Sequence, residues 1–146
     1  MKKERVKIQA VHRYNVAPER VYDTLLDPDK AATFMFATMT GKMMKAEIDP
    51  KVGGHFLFID RRLEGDAAHY GEYTELKRGS VVAFKFATQK NSPDADPVRI
   101  DIKPLKQGCE VTLTHEVSKD FAHLAEQIEQ GWDGILDSLG AALRAK

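Results

Sequence analysis

The chain is expected to adopt an α+β fold, a seven-stranded curved antiparallel sheet wrapped around a long C-terminal helix, with two short helices between strands 1 and 2. Three observations point there. VKIQAVHRYNV (6–16) alternates apolar and polar residues, with Val6, Ile8, Ala10, His12, Tyr14 and Val16 on one face. Six further strand-like stretches follow one another through short turns, which favours a meander over parallel crossovers. The final segment carries one apolar stripe at three- and four-residue spacing, and a single sheet must cover that stripe.

Taken in order, strand 1 runs into APERVYDTLLDPDKAATFMF. Pro18 suits the first position of a helix and Glu19 its N-terminal end. Val21, Tyr22, Leu25 and Leu26 share a stripe, Pro28 ends that helix, and a second is expected from Asp29 to about Phe36. MMKAEI (43–48) and HFLFID (55–60) flank the turn DPKVGG. HYGEYTEL (69–76) and SVVAFKFATQ (80–89) flank KRG; in the former, Tyr70, Tyr73 and Leu76 break the period of two. KNSPDADP (90–97) reads as a polar loop, RRLEGD (61–66) as a solvated turn of mixed charge. VRIDIKPL (98–105) and CEVTLTHEV (109–117) flank KQG.

From about Ser118, with Ser118 or Asp120 as its cap, a helix of about 25 residues is expected. Its stripe is Phe121, Leu124, Ile128, Trp132, Ile135, Leu136, Leu139 and Leu143. Gly131 and Gly134 flank the lone tryptophan, although each weakens a helix by about 1 kcal/mol relative to alanine. Two explanations stand. Either the glycines let the helix approach neighbouring backbone, or they are tolerated beside a core tryptophan.

With 146 residues, one domain spanning 1–146 is expected. Lys plus Arg and Asp plus Glu are equal at 22, which disfavours a nucleic-acid partner. Neither a signal peptide nor a membrane span is expected, and the single cysteine, Cys109, fits a reducing, cytoplasmic setting. His12, His55, His69, His115 and His123 are not paired at ligand spacing, so no metal and no cofactor is expected. Exposed strand edges permit a homodimer.

VAPERVYDTLLDP, VGGHFLF, GEYTEL, EVTLTHE and above all EQGWDGILDSL resemble the START-like, birch-pollen-allergen-like (SRPBCC) superfamily. Within it they are most similar to the branch named for the activator of the heat shock protein 90 ATPase. The resemblance spans nearly the whole chain and implies the helix-grip fold. It also implies a cavity between sheet and long helix for a small hydrophobic or amphipathic ligand. Phe34 and Phe36 stand where family members often carry a tryptophan.

Strand parity and the helical stripe give the inward-facing residues, which either line this implied cavity or fill it. Phe56 and Phe58 share a face, as do Phe84 and Phe86; Tyr14, Tyr73, His115, Trp132 and Leu136 join them. The Met/Phe-rich stretch FMFATMTGKMM contributes Phe34, Phe36, Met39 and Met44, either as a soft entrance or as packing on the sheet edge. His115 has two readings: a ligand-orienting group or general base, or a core histidine satisfied by a backbone carbonyl or a tyrosine. The functional readings are therefore a small-molecule binder, a cyclase- or hydrolase-type enzyme using His115 with Tyr14 or Tyr73, and a chaperone-interaction domain.

Overall fold

The computed structural model describes residues 4–38, 40–88 and 95–144. The elements are β1 (Arg5–Tyr14), α1 (Pro18–Leu25), α2 (Pro28–Ala31), β2 (Lys42–Ile48), β3 (His55–Arg62), β4 (Gly65–Lys77), β5 (Val81–Ala87), β6 (Asp96–Pro104), β7 (Cys109–Ser118), a 3-10 segment (Lys119–Leu124) and α3 (Ala125–Arg144). The seven strands form one antiparallel sheet in the order β1-β7-β6-β5-β4-β3-β2. Consecutive strands pair from β2 to β7, and β1 closes on β7 in a register running from Arg5–Ser118 to Tyr14–Cys109. No helix among the described residues is long and apolar enough to cross a membrane.

Alternation produces the two faces. Along β7, Cys109, Val111, Leu113, His115 and Val117 are buried and their neighbours are not. The parity breaks at β4 through a bulge between Tyr73 and Glu75. One extra residue, Thr74, separates Tyr73 opposite Phe84 from Glu75 opposite Ala83, which explains the odd spacing from Tyr73 to Leu76; Tyr70, before the bulge, lies on the opposite face from Tyr73. A second irregularity between Met43 and Lys45 leaves Met43 half-buried and turns Met44 outward, 43% exposed.

One helical expectation needs correction. The second helix stops at Ala31 and does not reach Phe36. Asp27 starts it by accepting from the Asp29 and Lys30 amides, but the Thr33 hydroxyl then bonds the Lys30 carbonyl, and the chain turns until Phe36 takes a φ of 58°. At the other end the helical segment runs from Lys119 to Arg144 as expected: the Ser118 hydroxyl caps it by accepting from the Asp120 amide, and its first residues, to Leu124, wind as 3-10. Trp132, Leu136, Leu139 and Leu143 of the stripe are buried; Leu124 and Ile128 are only half-buried and Phe121 is 54% exposed. The N-terminal part of the stripe therefore does not enter the core.

The glycines beside Trp132 are not sites of close approach. A Cβ built on Gly131 or Gly134 would meet nothing within 4 Å. Close approach occurs elsewhere. A Cβ on Gly140 would lie 3.2 Å from Tyr14 Cε1, whose hydroxyl donates to the Leu136 carbonyl of α3. A Cβ on Gly71 would lie 2.0 Å from Phe56 Cε2, because the Phe56 ring lies across its strand partner.

Gly71→Ala should therefore overpack the sheet and lower the unfolding free energy by about 1–3 kcal/mol. Urea denaturation of the variant beside the parent protein checks it, and an unchanged midpoint would show that Phe56 is free to move aside.

Candidate functional site

Most of the expected cavity is filled. Phe56, Phe58, Tyr73 and Phe84, with Leu25, Met35, Val82 and Ile100, enclose a void of only about 10 Å³, room for one water at most. The rings interlock: Phe56 meets Phe84 edge-on at 5.0 Å between centroids and Phe58 at 5.6 Å. Phe34 and Leu136 are also buried in this core. Tyr14 is 9% exposed and engaged with α3, and burial raises its phenol above the ordinary range, as it does for Tyr73. Apart from Phe84, which also backs a separate groove of about 540 Å³ bordered by Lys7, Glu75, Arg99 and Thr114, none of these residues lines an accessible pocket. Met44 faces away from the core, and Met39 lies outside the described residues.

Space opens where the helix stripe leaves the core. A cleft of about 520 Å³ is bounded by residues 36–38, by His69, Phe86, Thr88, Asp96, His115 and Val117 of the sheet and its connections, and by the helical segment. From that segment come Phe121 and Leu124, then Ile128, Gly131, Trp132 and Ile135. Such a volume falls in the range of small-molecule sites. Four expected residues line it: Phe36, Phe86, His115 and Trp132.

Phe36 separates this cleft from the filled core. Its ring lies nearly parallel to His69 (4.2 Å, 6°) and Phe86 (5.1 Å, 7°) and edge-on to Trp132 (5.7 Å). It also touches Phe56 and Phe58 on the core side. A non-glycine residue at φ 58° is uncommon and costs on the order of 1–3 kcal/mol, so its surroundings must hold it there. Part of the hold is visible. Arg62 Nη2 donates to the Phe36 carbonyl at 3.2 Å, while Arg62 Nε and the Thr38 hydroxyl both donate to Asp60 Oδ2, at 3.0 and 2.9 Å. Asp60 is 1% exposed, and its Oδ1 has no partner among the described residues.

The opposite wall is a polar chain. Trp132 Nε1 donates to His115 Nδ1 at 2.8 Å. An indole nitrogen only donates, so Nδ1 is bare and His115 carries its proton on Nε2, which donates to Asp96 Oδ2 at 2.9 Å. Asp96 Oδ1 accepts from Arg5 Nη1 at 3.1 Å, and Arg5 is further held by the Glu116 carbonyl. Burial pushes the His115 pKa below its ordinary value, outweighing the opposing pull of Asp96. The histidine is thus satisfied, but by tryptophan and aspartate in place of the expected backbone carbonyl or tyrosine. Both ring nitrogens are engaged, and neither Tyr14 nor Tyr73 reaches the cleft, so the expected His–Tyr constellation is not assembled. Cys109 is buried, and burial raises its thiol pKa. Among the described residues, no group of three or more His, Cys, Asp or Glu could hold a metal ion.

Four residues of the site escaped the sequence reading. Asp60 continues the inward parity of Phe56 and Phe58, a signal that was present but outweighed by the charged turn beside it. Arg62 belongs to that turn; Arg61 does pair outward with Asp66, but Arg62 turns in. Asp96 lies in a stretch read as loop and in fact opens β6. His69 was weighed only as a metal ligand; its Nδ1 sits 3.4 Å from the Phe58 carbonyl, and burial lowers its pKa.

Residues 15–144 match the family model described as Activator of Hsp90 ATPase homolog 1-like protein. The chain belongs to that family. Among solved structures, a Chromobacterium violaceum protein superposes with a TM-score of 0.82 at 23% identity, covering 96% of this chain and 98% of that one. An AHSA1-like protein from Aeromonas hydrophila gives 0.80 at 22%, covering 94% and 92%. The Aha1 dimer from Colwellia psychrerythraea gives 0.76 at 18%, covering 94% and 96%. At these identities the likeness shows the fold, here an open seven-stranded sheet around the C-terminal helix as the AHSA1-like family resemblance implied. No curated protein matches in sequence.

Protonating His115 would remove the acceptor of the Trp132 indole. Because the folded state lowers the pKa of His115 and His69 below 6.5, the unfolded chain binds protons more readily in the interval beneath that value. The histidine contribution to stability is full above about pH 7 and declines as pH falls toward the depressed folded values. The expected outcome is a fall in unfolding free energy from about pH 7.5 to about pH 5.5, shallower in His115→Gln, whose amide can still bridge Trp132 and Asp96. Urea titrations across that range measure it; identical slopes in both proteins would remove His115 as the source.

Proposed function

We propose that this AHSA1-like domain binds a small apolar or amphipathic molecule in the cleft between α3 and the open end of the sheet. One observation carries the reading. The N-terminal half of an apolar helix stripe, Phe121, Leu124 and Ile128, stands over Phe36, Phe86 and Trp132 without closing on them. Apolar surface left facing a concave space of this size is what a ligand covers, at about 25 cal/mol per Å² removed from water. Gly131 supports it. It lies on the cleft wall between Ile128 and Ile135, where any side chain would project into open space.

The chaperone reading draws only on the family description, and nothing at the cleft favours it. For self-association, β1 and β2 are the two edges of the sheet; β2 carries Lys42, Lys45, Glu47 and a bulge, features that oppose edge-to-edge pairing, which leaves β1 or another face for a homodimer like that described for the Colwellia relative.

Uptake of the uncharged fluorophore N-phenyl-naphthylamine tests the binding reading. Its emission should rise saturably on mixing with the protein. Gly131→Leu should weaken uptake by about tenfold or more by occupying the cleft, while keeping the parent unfolding midpoint or raising it, since leucine is the better helix former. Uptake unaffected by that substitution would place the fluorophore elsewhere, and no uptake at all would count against the function.

A further inference from the structure

We infer that the ligand of this cleft carries no net charge. This rests on the binding reading above and refines it. The cleft contains two ionic side chains of opposite sign, Arg62 and Asp96. Each already has a fixed counter-charge behind it. Asp60, almost wholly buried, takes Arg62 Nε; Arg5 Nη1 takes Asp96 Oδ1. The two histidines facing the space, His69 and His115, are held toward their neutral forms by burial.

The wall is therefore balanced before any ligand arrives. A carboxylate or sulfonate drawn to Arg62 would meet the Asp60 charge directly behind it and the Asp96 charge across the cleft. An ammonium group drawn to Asp96 would meet Arg5 in the same way. Arg62 and Asp96 stay 29% and 27% exposed, so water screens part of the surplus; against Phe36, Phe86, Trp132 and Ile128 an added charge still gives up part of its hydration without gaining an uncompensated partner. Polar opportunities without charge remain, the Thr88 hydroxyl among them. Arg62 Nη1 has no partner among the described residues, while Nε and Nη2 are committed to Asp60 and Phe36. A donor without a free charge suits a carbonyl, ether or hydroxyl oxygen.

A matched pair of probes decides this. N-phenyl-naphthylamine and anilinonaphthalene sulfonate share one scaffold and differ by the sulfonate. Titrated into the parent protein at about neutral pH, the uncharged probe should bind at least about tenfold more tightly. Asp96→Asn keeps an oxygen for His115 Nε2 but leaves Arg5 uncompensated, so the affinity ratio should move toward the sulfonate by several-fold. Equal or tighter sulfonate binding by the parent protein overturns the inference and leaves the binding reading standing. A preference for the uncharged probe that Asp96→Asn does not move also overturns it, assigning the preference to size. Failure of both probes to bind removes the binding reading itself.

Discussion

The hydrogen bond from Trp132 to His115 sets the geometry of everything around it. It joins the helix to the second strand of the sheet at one point, with an acceptor nitrogen that exists only in neutral histidine. C-terminal to it, Leu136, Leu139 and Leu143 reach the core, and Tyr14 clamps the helix through the Leu136 carbonyl and the bare flank of Gly140. N-terminal to it, Ile128 and Leu124 are only half-buried and Phe121 is exposed. One polar contact in an apolar setting thus marks the boundary between packed interior and cleft. Asp96 and Arg5 extend it to β6 and β1, so the boundary is fixed from three strands.

Phe36 marks the same boundary from the other side. Its ring closes the filled core at Phe56 and Phe58 and presents its remaining edge toward Trp132. Holding a phenylalanine at positive φ needs an independent source of stability, and the Asp60–Arg62–Thr38 cluster supplies part of it through the Phe36 carbonyl. A buried carboxylate is costly unless it is paired and hydrogen-bonded. Here the pairing fastens a loop that carries an aromatic wall, which gives an otherwise unfavourable burial a structural role.

Strand alternation and the helical stripe made the architecture readable, because each depends on local periodicity that burial enforces. Strand number, meander order and the C-terminal helix came from that source. The lining was half readable for a related reason. Parity says that Phe56, Phe84 and Phe86 point inward, but it cannot say whether inward means packed or open. That depends on rings meeting across 28 residues of sequence, as Phe56 and Phe84 do, and the same chemistry fills one end and lines the other. The polar members were harder still. Arg62 and Asp96 sit in charged, turn-like stretches where the bland reading is normally right, and only tertiary pairing separates Arg62 from its solvated neighbour Arg61.

The glycines beside Trp132 show how the two levels interact. In an isolated helix Gly131 is a defect. A Cβ there would touch nothing, so packing gives no reason for its absence. The helix tolerates it because Trp132 and the leucines beyond it bury enough surface to hold α3 without help from propensity, each large apolar side chain contributing roughly 1.5–3 kcal/mol when removed from water. That surplus is concentrated C-terminal to the tryptophan. On the N-terminal side the helix wall needs only to stand clear, and between Ile128 and Ile135 a residue without a side chain keeps that stretch of wall flat. Gly134, which is exposed and lies outside the cleft wall, has no such role. The weak helix former is therefore informative where it faces the cleft and silent one turn away, a distinction that propensity alone cannot draw.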